Sequence, residues 1–203
     1  GIDVPVHQGA ARPIVAEPFH ARHVHGMTGL ADVDLPLTEL APDSEDAVEV
    51  IVEATLAEEG LHLVPVGPLT NIALALRADP GIANRVASVT LMGGGASGGN
   101  VTPAAEFNIY ADAEAADEVF RSGAPLTMVG LNLTHQVRMD ASHADSCRSF
   151  GHRVGDVAAK LIDFNVSVHR GGGLPGSGAM HDPCAVLAVS HPEVVRSEPR
   201  HVV

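Results

Sequence analysis

The sequence predicts an α/β fold, a doubly wound, mostly parallel sheet with helices on both faces. Short apolar runs alternate along the chain with longer segments of helical period, the rhythm of strand-helix-strand units. A run such as Leu61 to Val66 is apolar with little alternation, as a parallel strand covered on both sides requires. The runs end in glycine or polar tips, at Val66-Gly67, Met92 to Gly95 and Leu131-Asn132, which is where sheets of this kind hold ligands.

The elements follow in order. After Pro42, Asp43 or Ser44 can cap a helix running to about Glu59, with Ala47, Val50, Ile51 and Ala54 as its buried stripe. Gly60 stops it. Leu61 to Val66 is the first strand, and Leu69 to Arg77 is the helix returning from it. Val86 to Met92 is the next strand, residues 112–121 form a helix rich in alanine and acid, and Leu126 to Leu131 is a third strand. Residues 154–168 and 183–190 read as two further helices. No internal repeat, low-complexity tract or linker divides the chain, so residues 1–203 read as one α/β domain.

Composition bounds the function. With 203 residues and 45% apolar content, the chain can bury a substantial core. A formal charge of −13 argues against nucleic acid and anionic membrane as partners, because binding to either relies on neutralising phosphates. The two cysteines, Cys147 and Cys184, have neither a metal-site spacing nor a disulfide framework and fit a reducing compartment, and a cytoplasmic location is the default expectation. No apolar run approaches the roughly 20 residues needed to span a bilayer.

The most informative stretch is Gly99 to Asn108, in a loop just after an apolar strand. Asn100, Glu106 and Asn108 together can donate to and accept from several hydroxyls at once, as a sugar ring requires. Gly93-Gly94-Gly95-Ala96-Ser97-Gly98 also satisfies a three-glycine dinucleotide pattern. Such a loop should open a helix at once, whereas the next good helix starts near Asp112. His20, His23 and His25 cluster, yet their spacings do not share one helix face and no cysteine lies near, which disfavours zinc. Asp182, just before Pro183, is placed to cap the first turn of a helix. Asn165 and His169 are four apart on a predicted helix and share a face.

Several ordered motifs then converge. His25-Gly26-Met27-Thr28-Gly29-Leu30, Gly67-Pro68-Leu69-Thr70-Asn71, Met92 to Gly95 with the loop to Asn108, Val129 to Gln136, and His181-Asp182-Pro183 together resemble the nucleoside hydrolases, the inosine-uridine-preferring N-ribohydrolases. The resemblance covers nearly the whole chain. It implies hydrolysis of the N-glycosidic bond of ribonucleosides to free base and ribose, assisted by calcium, with a small-molecule nucleoside as partner and a homo-oligomer as the intact state. It implies that Asn100, Glu106 and Asn108 grip the ribose, with Met92 and Phe107 packing on the sugar or serving as core. His181 would protonate the departing base. Asp182 and the backbone carbonyl of Val66 would be calcium ligands, although calcium takes six to eight oxygens and two protein oxygens do not hold it. His25 would stand at the rim near the base, with a plain surface histidine as its alternative. Asn165 and His169 would meet the base, with helix-surface exposure as theirs. Asn132 replaces an aspartate common in the family.

The chain also lacks the family's N-terminal Asp-x-Asp-x-x-x-Asp-Asp cluster, the source of its general base. That absence leads us to expect a fragment of a larger catalytic domain, unstable and inactive when isolated. The alternative is a non-catalytic nucleoside- or ribose-binding protein that has lost the metal site.

Overall fold

The computed structural model describes residues 4–31, 33, 35, 41–168 and 176–202. The chain folds into two compact units, where the sequence reads as one domain. One comprises Gly1–Pro18, Leu40–Asn132 and Asp182–Val203; the other comprises Phe19–Glu39 and Leu133–His181.

The first unit is built on a parallel sheet in the order β1 (His62–Leu63), β2 (Ser88–Met92), β3 (Leu126–Val129). Leu63 pairs with Val89, and Val89 through Met92 pair with Leu126 through Val129. Val89 and Leu91 lie in one apolar cluster with Leu69, Ile72 and Leu76 of the α3 region (α3, Thr70–Ala78) and Val119 of α6 (Ala113–Arg121). Alternation along β2 sends Thr90 and Met92, also buried, to the opposite face. There α10 (Asp182–Ser190) packs on β2 and β3 and buries Cys184 and Ala185. Helices thus cover both faces of this sheet, as the continuous apolar runs require.

All three strands are shorter than the sequence suggests, β2 by two residues at its start. Ladder pairing of β1 ends at Leu63, because Pro65 has no N–H to give, although its carbonyl still accepts from Met92 N at 2.9 Å. Val66 is 39% exposed. β3 ends at Val129, and Leu131 opens the short helix α7 (Leu131–Thr134), its N–H donating to Gly94 O at 2.9 Å.

The first long helix, α2 (Ala47–Ala57), is capped by Asp46, which accepts from Glu49 N at 2.9 Å. Asp43 and Ser44 instead tie down the N-terminal segment, through Val6 N at 2.7 Å and His7 Nδ1 at 2.8 Å. Its packed face is Val48, Ile51, Val52 and Thr55, which corrects the expected stripe: Ala54 is exposed. Thr55 is buried because its polar groups are matched. Its hydroxyl donates to Val52 O at 3.0 Å and its carbonyl accepts from Arg85 Nε at 3.0 Å. Arg85 closes the small helix α4 (Ile82–Arg85) and pairs with Asp79 at 2.5 Å.

The second unit contains α1 (Arg22–His25) and an antiparallel pair, β4 (Arg138–Asp140) with β5 (Ser177–Ala179). Helices α8 (Ala141–Ser149) and α9 (Arg153–Val168) enclose a small core of Ala144, Ala159 and Ile162 backed by Met139, Cys147 and Val166. No helix among the described residues is long and apolar enough to cross a membrane.

Candidate functional site

In the first unit the polar loop after β2 closes back on the strand ends. Glu106 is 3% exposed, and its Oε2 accepts three main-chain N–H groups: Gly94 at 3.0 Å, Asn108 at 2.9 Å and Ile109 at 3.3 Å. It thereby caps α5 (Phe107–Ala111) and fixes the glycine turn at the tip of β2. Asn108, also buried, directs Nδ2 to Met92 O at 2.9 Å and to Val66 O at 3.5 Å. One carboxamide therefore ties the tip of β2 to the segment that follows β1. Asn100 is exposed, and its Oδ1 accepts from Phe107 N at 2.9 Å. Phe107 is half-buried as the first residue of α5, and Met92 is buried within β2. Asn100, Glu106, Asn108, Met92, Phe107 and Val66 are thus gathered at the carboxyl ends of β1 and β2. Glu106 and Asn108 are held there by main-chain bonds.

The glycines permit this closure. A Cβ on Gly99 would overlap Ala105 O, and one on Gly95 would overlap Gly98 O, both main-chain atoms that cannot swing aside. No helix opens directly on the glycine run; the next begins at Phe107, against a dinucleotide loop.

Asp112 carried no assigned role in the sequence beyond opening a helix. It is wholly buried between α5 and α6, accepting from Thr70 Oγ1 at 2.6 Å, Ile14 N at 3.0 Å and Ala115 N at 3.1 Å. Asp182 is exposed in the first turn of α10, one position inside the helix rather than at its cap.

In the second unit His181 Nδ1 lies 2.8 Å from Thr134 Oγ1, and the ring of His135 meets the His181 ring edge to face, with centroids 5.7 Å apart. Thr134 is 0% exposed. Thr134 and His135 carried no assigned role in the sequence, and their only signal was membership of the Val129 to Gln136 motif. Asn165 is half-buried on α9, and its Nδ2 donates to Ala179 O at 3.0 Å, so its amide fastens α9 to β5. His25 is exposed at the end of α1, where Gly26 to Gly29, His20 and Arg22 line a shallow cavity with it. His169 lies outside the described residues.

Among the described residues no group of three or more His, Cys, Asp or Glu is arranged to hold a metal ion. The carbonyl of Val66 already accepts from Asn108 at 3.5 Å, and Asp182 adds one carboxylate. Calcium needs six to eight oxygens, so these two residues do not form its site by themselves.

Comparison with known proteins is consistent along the chain. The family model described as inosine-uridine preferring nucleoside hydrolase matches residues 1–203. The pyrimidine-specific ribonucleoside hydrolase RihA of Photobacterium profundum is 44% identical over 197 residues, covering 96% of this chain and 64% of that protein. RihA of Salmonella typhimurium is 39% identical over 204 residues, covering 99% of this chain and 65% of its own length. Among solved structures, a purine-preferring ribonucleoside hydrolase from Gardnerella vaginalis superposes with a TM-score of 0.92 at 33% identity, over 97% of this chain and 64% of that one. A plant nucleoside hydrolase, PpNRh1, gives 0.89 at 31% identity, over 95% and 62%. The chain therefore spans somewhat under two thirds of the length of these relatives.

Proposed function

This chain belongs to the inosine-uridine preferring nucleoside hydrolase family, and from that membership we propose that it serves the hydrolysis of the N-glycosidic bond of ribonucleosides to free base and ribose. The observation that carries the reading is the restrained histidine: His181 Nδ1 at 2.8 Å from the buried Thr134 hydroxyl. A base leaves a ribosyl carbon with its bonding electrons, and a proton delivered to the leaving nitrogen neutralises them. A histidine whose ring is held in one orientation can deliver that proton along a fixed direction.

The sugar would be received at the strand tips of the first unit. Glu106 and Asn108 keep the Gly94 turn and the Met92 and Val66 carbonyls in register, and Asn100, exposed, offers Nδ2 donors to a hydroxyl. Water attacks the ribosyl carbon, and its second proton leaves to a base that no residue here is assigned to supply. Calcium enters as an ion to which Asp182 and the Val66 carbonyl would contribute two of the oxygens. Pyrimidine ribonucleosides are the first substrates to try, because the RihA relatives at 39% to 44% identity are named pyrimidine-specific. Cytoplasmic location and a homo-oligomeric state belong to the same proposal.

The test is ribose release from uridine, cytidine and inosine, with calcium and with a chelator, by the full-length protein that carries these residues and by its H181A variant. Turnover that H181A lowers by about 10² or more supports the reading, since a positioned general acid typically contributes 10² to 10⁴. Saturable nucleoside binding with no ribose release under any condition would overturn it in favour of a binding protein.

A further inference from the structure

We propose that Thr134 is the positioning residue for His181, its buried hydroxyl fixing the imidazole so that Nε2 faces the leaving base; the inference rests on the hydrolytic reading above. Thr134 ends α7 with no exposed surface, while His181 is half-buried just ahead of α10. Its Oγ1 meets His181 Nδ1 at 2.8 Å, a normal hydrogen-bond length. The ring of His135 packs on it in a T-shaped arrangement, centroids 5.7 Å apart at 68°, and limits tilt about that bond. Two groups from consecutive positions thus define both the direction and the plane of the imidazole.

The choice of threonine suits a ring that changes its proton. An imidazolium carries a proton on both nitrogens and keeps the one on Nδ1 when Nε2 gives its own away, so the Thr134 hydroxyl accepts from Nδ1–H before and after the step. In the step itself the electrons of the ribosyl carbon–nitrogen bond pass to the base, the Nε2 proton passes to the base nitrogen, and water supplies hydroxide to the carbon. Its remaining proton restores the balance. Nothing in this needs an oxidant or a second substrate. Thr134 touches none of the reacting atoms, and its effect runs through the ring it holds.

The test uses two substrates that differ in their need for an acid. Uridine leaves as a base that must be protonated, whereas p-nitrophenyl riboside releases a stable phenolate. Thr134→Val keeps the shape and removes the hydroxyl, and Thr134→Ser keeps the hydroxyl. On uridine we expect T134V to lower kcat about ten- to a hundred-fold with little change in KM, and T134S to stay within about threefold of the parent, because misorientation forfeits part of the 10² to 10⁴ of a positioned acid. On p-nitrophenyl riboside T134V should keep the parent kcat, which also shows that the variant is folded. Equal losses on both substrates, or no loss on uridine, would overturn the proposal while the hydrolytic reading stands. If H181A itself lowered both substrates equally, His181 would not be the acid and the proposal would fall, whereas no ribose release from either substrate would overturn the hydrolytic reading with it.

Discussion

The hydroxyl of Thr70 donates to Oδ2 of Asp112 at 2.6 Å, and Asp112 has no exposed surface. The same carboxylate receives Ile14 N and Ala115 N, so one side chain links the N-terminal segment, α3 and the cap of α6. A buried carboxylate is tolerated where donors surround it, and each donor in turn depends on it. Because α3 and α6 pack on the sheet that carries the candidate loop, the tips of β1 and β2 inherit their placement from this contact.

Removing it should be costly and coupled. Thr70→Val is expected to lower the unfolding free energy by about 1 to 3 kcal/mol and Asp112→Ala by about 3 kcal/mol or more, since the latter leaves several buried donors without an acceptor. Urea denaturation of both singles and the double variant gives the coupling. Strictly additive losses would mean that the hydroxyl and carboxylate do not act on each other.

Glu106 gives a second test in the loop. Its Oε2 gathers the N–H groups of Gly94, Asn108 and Ile109. Glu106→Gln keeps the size, but it replaces a charged acceptor by a neutral one and brings an amide donor that can face those N–H groups. We expect a loss of about 1 to 3 kcal/mol, together with a higher KM for nucleoside. Unchanged stability in chemical denaturation would show that the capping bonds contribute nothing net.

These residues also show what a sequence can and cannot disclose. The parallel sheet was legible because Val86 to Met92 and Leu126 to Val129 are mostly apolar, and the helices at 70–78, 113–121, 153–168 and 182–190 because each is a helix-length run bounded by turn or polar residues. The second unit's short elements were not. Ser177-Gly178-Ala179 carries no strand signal and pairs only because Arg138 to Asp140 lies opposite, while Ala141 to Ser149 is too polar for an apolar stripe to emerge. Thr55 reads as polar and is core. Asn100, Glu106 and Asn108 stand out in the sequence as a polar set, but the aim of their side chains is not written there. Their partners are mostly main-chain atoms of Met92, Gly94 and Val66, which no residue pattern records. Thr134 was hidden for a related reason, since its partner His181 lies far along the chain.

The Asn165 contact with β5 is checked by a steric partner. A Cβ at Gly178 would fall on Asn165 Oδ1 and Cγ, and Asn165 also donates to Ala179 O. Gly178→Ala should therefore destabilise the protein by about 1 to 3 kcal/mol, the usual cost of overpacking. Asn165→Ala should lose its hydrogen bond, at about 1 kcal/mol. Combining them relieves the clash, so the double variant should lose less than the sum of the singles. A sum equal to or greater than additive in thermal or urea unfolding would place the strain elsewhere.

Asp140 caps α8, and its pH dependence follows from its bonds. The side chains of Ser142 and then His143 hold the carboxyl down from its ordinary value to about 2. A folded-state value below the unfolded one, near 3.9, means that the ionised cap stabilises above that unfolded value. This stabilisation fades as pH falls toward about 2, where the carboxyl protonates in the folded chain as well. Asp140→Ala should therefore lower Tm by a constant amount from pH 7 to about 5, with the gap from the parent narrowing between about pH 4 and 2. With half the side chain in solvent the gap will be small and will weaken with added salt. A gap that stayed constant down to pH 2, or widened there, would mean that the charge of Asp140 is not what secures the start of α8.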